Sequence, residues 1–141
     1  MLSPLLNGVA TQDIAMDSVI LPEVFERLRQ ATAKEPAVLV ELCRDYLEEA
    51  RGALAQLQDA FLAKDAKAFR ERAHYLKGSS LMIGAKRLSQ CCATLERMGR
   101  DCDFRGAGPM LEYTMTALRE VEAQLTEQVG PAVVPAEGSA A

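Results

Sequence analysis

The chain has 141 residues, 49% of them apolar but only 5% aromatic, and a formal net charge of −4. That length fits one domain with a core of Leu, Ala, Val and Met, and the acidic balance argues against a nucleic-acid-binding face, which is usually basic. Nothing approaches the run of about 20 apolar residues that a membrane-spanning helix needs, and the N-terminus, "MLSPLLNGVATQDIAMD", lacks the basic stretch of a secretory signal.

In chain order, residues 1–18 hold Pro4, Gly8 and no sustained period, which predicts a flexible N-terminal segment. The bundle domain is expected over 19–129, with five helical segments and no strand pattern. The first is short, 21–32, with Val24, Leu28 and Ala31 on one side. The second opens on Pro36, a good first-turn residue, and repeats apolar groups at steps of three and four from Leu39 through Cys43, Tyr46, Ala50, Leu54 and Leu57 to Phe61. "AKDAK" breaks that pattern, with Asp65 as N-cap of the next helix.

The third helix is predicted over 66–83, with a core stripe of Phe69, Ala73, Leu76, Ser80 and Ile83, and Gly84 ends it. The fourth covers 85–100, with Leu88, Cys91 or Cys92, Leu95 and Met98 inward. Past Gly99, Asp101 and "RGAGP", Pro109 opens the fifth, where Leu111, Met115, Leu118, Val121 and Leu125 are in register. Short connections make antiparallel neighbours, so the expected fold is all-α: an up-down antiparallel four-helix bundle with an additional short N-terminal helix. The tail from Gly130, "GPAVVPAEGSAA", predicts disorder over 130–141. Cys43, Cys91, Cys92 and Cys102 form no C-x-x-C pair and read as reduced core or boundary thiols of a cytoplasmic protein.

The only histidine stands in "AHYLKGSSLMIGAKRL", residues 73–88. At about 100° per residue, His74 lies roughly 140° from the centre of the third helix's apolar stripe, with Gly78 roughly opposite that centre. Arg70 and Lys77 flank this face and Leu81 extends it. A lone histidine is most often a harmless surface residue. Three features weigh against that here. Gly78 costs about 1 kcal/mol against alanine inside a helix. Lys77 brings an ammonium within reach at i+3. Leu81 is a large apolar group outside the core stripe, although one exposed leucine is ordinary.

A metal site needs further ligands, and no second histidine exists. A hydrolytic triad needs a nucleophile within reach of the imidazole, and Ser79 and Ser80 point elsewhere. A histidine that accepts a phosphoryl group needs only exposure, a nearby cation and clearance for a bulky donor, and this face offers all three.

These residues resemble the signature of histidine-containing phosphotransfer (HPt) domains, roughly A-H-x-L-K-G-x-[SA]-x-x-[LIV]-G. Ala73, His74, Leu76, Lys77, Gly78, Ser80, Ile83 and Gly84 meet every specified position, and weaker similarity runs over about 20–128. The resemblance implies that His74 accepts the phosphoryl group, commonly through Nε2, that Lys77 steadies its charge and that Gly78 gives access. It implies receiver domains of response regulators and hybrid histidine kinases as partners, which would supply the acidic pocket and the Mg²⁺; no cofactor of the chain's own is expected. The absence of a P-loop or other nucleotide-binding motif agrees with a phosphoryl carrier that is not itself a kinase.

Counting through the hairpin at Gly84 places Thr94, Glu96 and Arg97 level with His74. Some relatives carry Gln at the position of Glu96, in contact with the histidine, so Glu96 is a departure. Its carboxylate would fix the imidazole tautomer and raise its basicity, yet repel a phosphoryl group unless Lys77 or Arg100 offsets it. Alternatively Glu96 is a solvated residue paired with Arg100 at i+4. Arg100 falls where relatives have a basic residue, either for a receiver or for the helix dipole.

The expected partner surface comprises Arg70, Tyr75, Leu81, Lys86, Arg87, Glu96 and Arg100 around His74, with Lys86 and Arg87 steering an acidic partner or standing as plain solvated charges. Tyr46 reads as core. A stand-alone, cytoplasmic monomer in a multistep phosphorelay is the favoured reading. The alternatives are the N-terminal phospho-accepting domain of a chemotaxis-type kinase, and a helical adaptor that binds receivers or kinases without transfer.

Overall fold

The computed structural model describes residues 19–135; the N-terminal segment 1–18 and the last residues, 136–141, lie outside them. Five helices follow one another: α1 (Pro22–Ala31), α2 (Pro36–Ala63), α3 (Ala66–Ile83), α4 (Lys86–Arg100) and α5 (Ala107–Val129), then a 3₁₀ turn, Pro131–Val133. No strand occurs among the described residues. The architecture is the expected all-α bundle, α2 to α5 packed around one core and α1 set against α2 and α3.

The turns follow from local chemistry. Lys64 ends α2 in a left-handed conformation (φ 55°), and the Asp65 side chain then accepts from the Ala68 amide at 3.1 Å, capping α3. At the other end of α3, Gly84 takes φ 87°. The Ala85 amide donates to the Ser80 carbonyl (2.8 Å) and the Gly84 amide to that of Leu81 (3.1 Å), the two bonds of a Schellman stop. Only two residues therefore separate α3 from α4, which makes them a tight antiparallel hairpin. The Leu21 amide bonds the Gly84 carbonyl at 2.8 Å, pinning the start of α1 to this turn.

The core stripe of α3 is Phe69, Ala73, Leu76, Ser80 and Ile83, as its periodicity predicts. Leu47, Leu57, Leu88, Leu95 and Leu125 fill the space between the helices with no exposure above 1%. Both Cys91 and Cys92 are buried, as is Cys43, while Cys102 is exposed. Tyr46 is core, and its hydroxyl shares a 2.7 Å hydrogen bond with the buried Ser80 hydroxyl. This explains a serine in an apolar stripe. Replacing Ser80 with alanine strands the tyrosine hydroxyl and is expected to lower the unfolding free energy by about 1–3 kcal/mol. Urea titration checks it; an unchanged midpoint would mean that the hydroxyl finds another partner.

Three expectations need correction. In α1 the buried side chain is Phe25 (3% exposed), whereas Val24 and Leu28 are half-buried and Ala31 is exposed. The largest apolar group decides which face turns inward. α5 begins at Ala107, not Pro109; a proline in the first turn lacks only an amide that would have no partner within the helix. Residues 130–135 are not a disordered tail. Val133 is fully buried, and Arg44 Nε donates to the Ala132 carbonyl at 2.9 Å. Two adjacent valines supply apolar surface that a Pro/Gly/Ser composition conceals.

Candidate functional site

His74 projects from the middle of α3 with 68% of its side chain exposed. Its Nδ1 lies 2.8 Å from Glu96 Oε2 on α4, and the other carboxylate oxygen accepts from Lys77 Nζ at 2.7 Å. The level predicted by counting through the hairpin is thus the observed one, and of Thr94, Glu96 and Arg97 it is Glu96 that meets the imidazole.

The Glu96 side chain is only 15% exposed. Its pKa is lowered, chiefly by the hydrogen bond from Lys77 and also by that from His74, against the opposing effect of desolvation. Because the folded-state value is depressed, the stabilisation from this cluster is present above the ordinary glutamate range and is lost as pH falls through the lowered value. An ionised carboxylate can only accept, so Nδ1 donates to it and Nε2 points away from Glu96 into solvent; in the neutral ring, Nε2 is then the nitrogen with the lone pair.

Gly78, one turn beyond His74, is exposed, and a Cβ added there would meet nothing within 4 Å. No internal contact calls for glycine, so its cost in an exposed helix is borne for something outside the fold. Arg70, Glu71, His74, Glu96 and Arg100 line one shallow groove of about 370 Å³. Arg70 and Arg100 are there as expected, and Glu96 pairs with Lys77 and His74 instead of Arg100. Glu71 was missed; its place three residues before His74 could have flagged it.

On the other side of His74, Tyr75 is 46% exposed, and its hydroxyl donates to Glu49 Oε1 on α2 at 2.7 Å. Leu81 is exposed, and so is Met82, which sequence reasoning passed over although it extends the same apolar edge. Lys86 and Arg87 are not brought to the histidine. They precede Glu96 by roughly 14 Å along α4, and Arg87 forms a 2.7 Å ion pair with Glu120 on α5. Among the described residues no helix is long and apolar enough to cross a membrane.

A helical bundle that presents one oriented imidazole to solvent, with its second nitrogen held by a carboxylate, defines a histidine-centred group-transfer module. The sequence profile of the Hpt domain family matches residues 41–128, and the chain belongs to that family, whose role is histidine phosphotransfer. Over 55 residues it is 36% identical to multistep phosphorelay regulator 1 of Schizosaccharomyces pombe; the match covers 39% of this chain and 19% of that protein, so the chain spans about a fifth of that relative. The crystal structure of histidine-containing phosphotransfer protein B (HptB) from Pseudomonas aeruginosa PAO1 superposes with a TM-score of 0.74 over 79% of this chain and 95% of that one, at 24% identity. That likeness concerns the fold.

Proposed function

We propose that His74 takes a phosphoryl group from the phospho-aspartate of one receiver domain and passes it to the aspartate of another, as a cytoplasmic, monomeric carrier in a multistep phosphorelay. The Nε2 lone pair attacks phosphorus, the bond from phosphorus to the aspartyl oxygen breaks, and the carboxylate leaves with its electron pair. The proton on Nδ1 stays in place, and Glu96 stabilises the positive charge that develops on the ring. The receiver supplies the Mg²⁺ and the acidic pocket; the chain contributes a nucleophile, not a kinase activity. Lys77 neutralises Glu96, and Gly78 leaves the approach to Nε2 open. Arg70, Tyr75, Leu81 and Arg100 form the rim on which the partner docks.

The observation that carries this reading is the exposed imidazole held at Nδ1 by an ionised carboxylate. Incubating the chain with a labelled, phosphorylated receiver domain and Mg²⁺ tests it. Acid-labile, base-stable label on the chain is expected. Binding without transfer of label would make the protein an adaptor.

Glu96 also shapes the product. At about 6 Å in a water-like medium, its charge repels each unit of phosphoryl charge by about 0.7 kcal/mol, roughly threefold in an equilibrium, and this repulsion opposes its attraction for the ring. Replacing Glu96 with glutamine keeps an acceptor for the Nδ1 proton, removes that charge and frees Lys77. The phospho-form of this variant is expected to live several times longer, measured by loss of label with time. An equal or shorter lifetime would remove the repulsion argument.

A further inference from the structure

α4 carries a glycine that its backbone conformation does not require. Gly99 is buried in the last turn of the helix and is not among the residues with positive φ. What requires it is proximity. A Cβ at this position would stand 2.8 Å from the backbone nitrogen of Arg70, 2.9 Å from its Cβ and 3.0 Å from its Cα. These are parts of α3 that cannot swing aside. The two helices touch here almost backbone to backbone, one turn from His74 on α3 and one turn from Glu96 on α4.

We infer that Gly99 is a positioning residue that sets the spacing of the His74–Glu96 pair. The inference rests on the reading of His74 as the phosphoryl acceptor. Any side chain at 99 must move α4 away from α3 by roughly 0.6–1 Å to restore ordinary contact distances. The short turn at Gly84 holds the other end of the hairpin, so α4 pivots there. By the rise per residue, Glu96 then takes about four-fifths of the displacement at Gly99. A hydrogen bond of 2.8 Å becomes one of about 3.4 Å, at the edge of being a bond at all. Nδ1 loses its fixed acceptor, the imidazole is free to carry its proton on Nε2, and the nucleophilic lone pair is lost in that fraction of molecules. Gly99 touches neither the phosphoryl group nor the partner; it acts through Glu96.

The test is Gly99→Ala, made in the wild type and in a Glu96→Ala background, with Gly52→Ala as control. Gly52 is likewise a helical glycine, inside α2, and a Cβ there would meet nothing within 4 Å. The readouts are the ¹⁵N spectrum of the His74 ring, which reports the tautomer without any phosphotransfer, and the rate of transfer from a phosphorylated receiver.

Gly99→Ala is expected to shift the ring from the Nδ1–H form to a mixture and to slow transfer about tenfold; Gly52→Ala should change neither. In the Glu96→Ala background, Gly99→Ala should leave ring and rate where Glu96→Ala alone put them, although it lowers thermal stability in both backgrounds. An unchanged tautomer in Gly99→Ala overturns the inference, as does a further fall in rate when Glu96 is already gone. If Gly99→Ala does not fold, Glu96→Asp decides. It withdraws the carboxylate by one methylene without touching the helix contact, and a retained Nδ1–H tautomer and rate would show that this spacing is not critical. Transfer lost in every variant, with tautomers as expected, would count against the acceptor reading instead.

Discussion

Replacing His74 with glutamine is expected to abolish phosphoryl uptake altogether. The amide that takes the place of the imidazole has no basic nitrogen lone pair to attack phosphorus, and no neighbour can take over. The Ser79 hydroxyl is turned back to the Leu76 carbonyl at 3.2 Å, and the Ser80 hydroxyl is committed to Tyr46. Cys91 and Cys92 are buried, and desolvation raises both thiol pKa values, Cys92 to about 12. The fold should not notice the change. His74 is largely exposed, it is hydrogen-bonded to Glu96, and Glu96 keeps Lys77. A surface substitution of this kind moves stability by about 0.5 kcal/mol or less. Urea unfolding of the variant should therefore coincide with that of the wild type while acid-labile label disappears. Label retained on the variant would move the acceptor elsewhere.

The second large effect is expected at Gly78, where function and stability should change in opposite directions. Glutamine is a good helix former, and the space around position 78 is empty, so Gly78→Gln should stabilise α3 by up to about 1 kcal/mol. The same side chain would stand one turn from Nε2, in the path of an incoming receiver. A misplacement of about 1 Å at the reacting centre is enough for a hundredfold loss, and transfer is expected to slow by about that factor. Measuring the transfer rate alongside the urea midpoint separates the two effects. A more stable variant that transfers at the wild-type rate would leave the glycine without the role assigned to it.

Much of this site could be read from the chain alone because it depends on helical periodicity and one short turn. The α3 stripe settles which way His74 faces. The two-residue stop at Gly84–Ala85 settles the register of the hairpin, and register alone brings Glu96 to the imidazole. Where several residues compete for a role, periodicity was silent. It did not choose Lys77 over Arg100 as the partner of Glu96, because both lie within a long side chain's reach. Nor did it separate Arg87, tied to Glu120 across α5, from cations free to face a partner.

Other features are tertiary and have no local signal. Gly99 looks like a weak point near a helix end until the Arg70 backbone is seen against it. Phe104 lies in the loop before α5, outside any periodic segment, yet its ring meets Phe69 edge-on at 5.1 Å. In α1 three modest apolar residues outvoted Phe25 on spacing, although one phenyl ring has more area to bury. In the tail Val133 was hidden by its flexible neighbours.

The function of His74 depends on which nitrogen of its ring is available. Phosphorylating the ¹⁵N-histidine-labelled chain with a receiver domain and recording ³¹P–¹⁵N couplings reads this directly. Phosphorus bonded to Nε2, with the proton still on Nδ1, is the result expected. Phosphorus on Nδ1, or on any residue other than His74, would contradict the site.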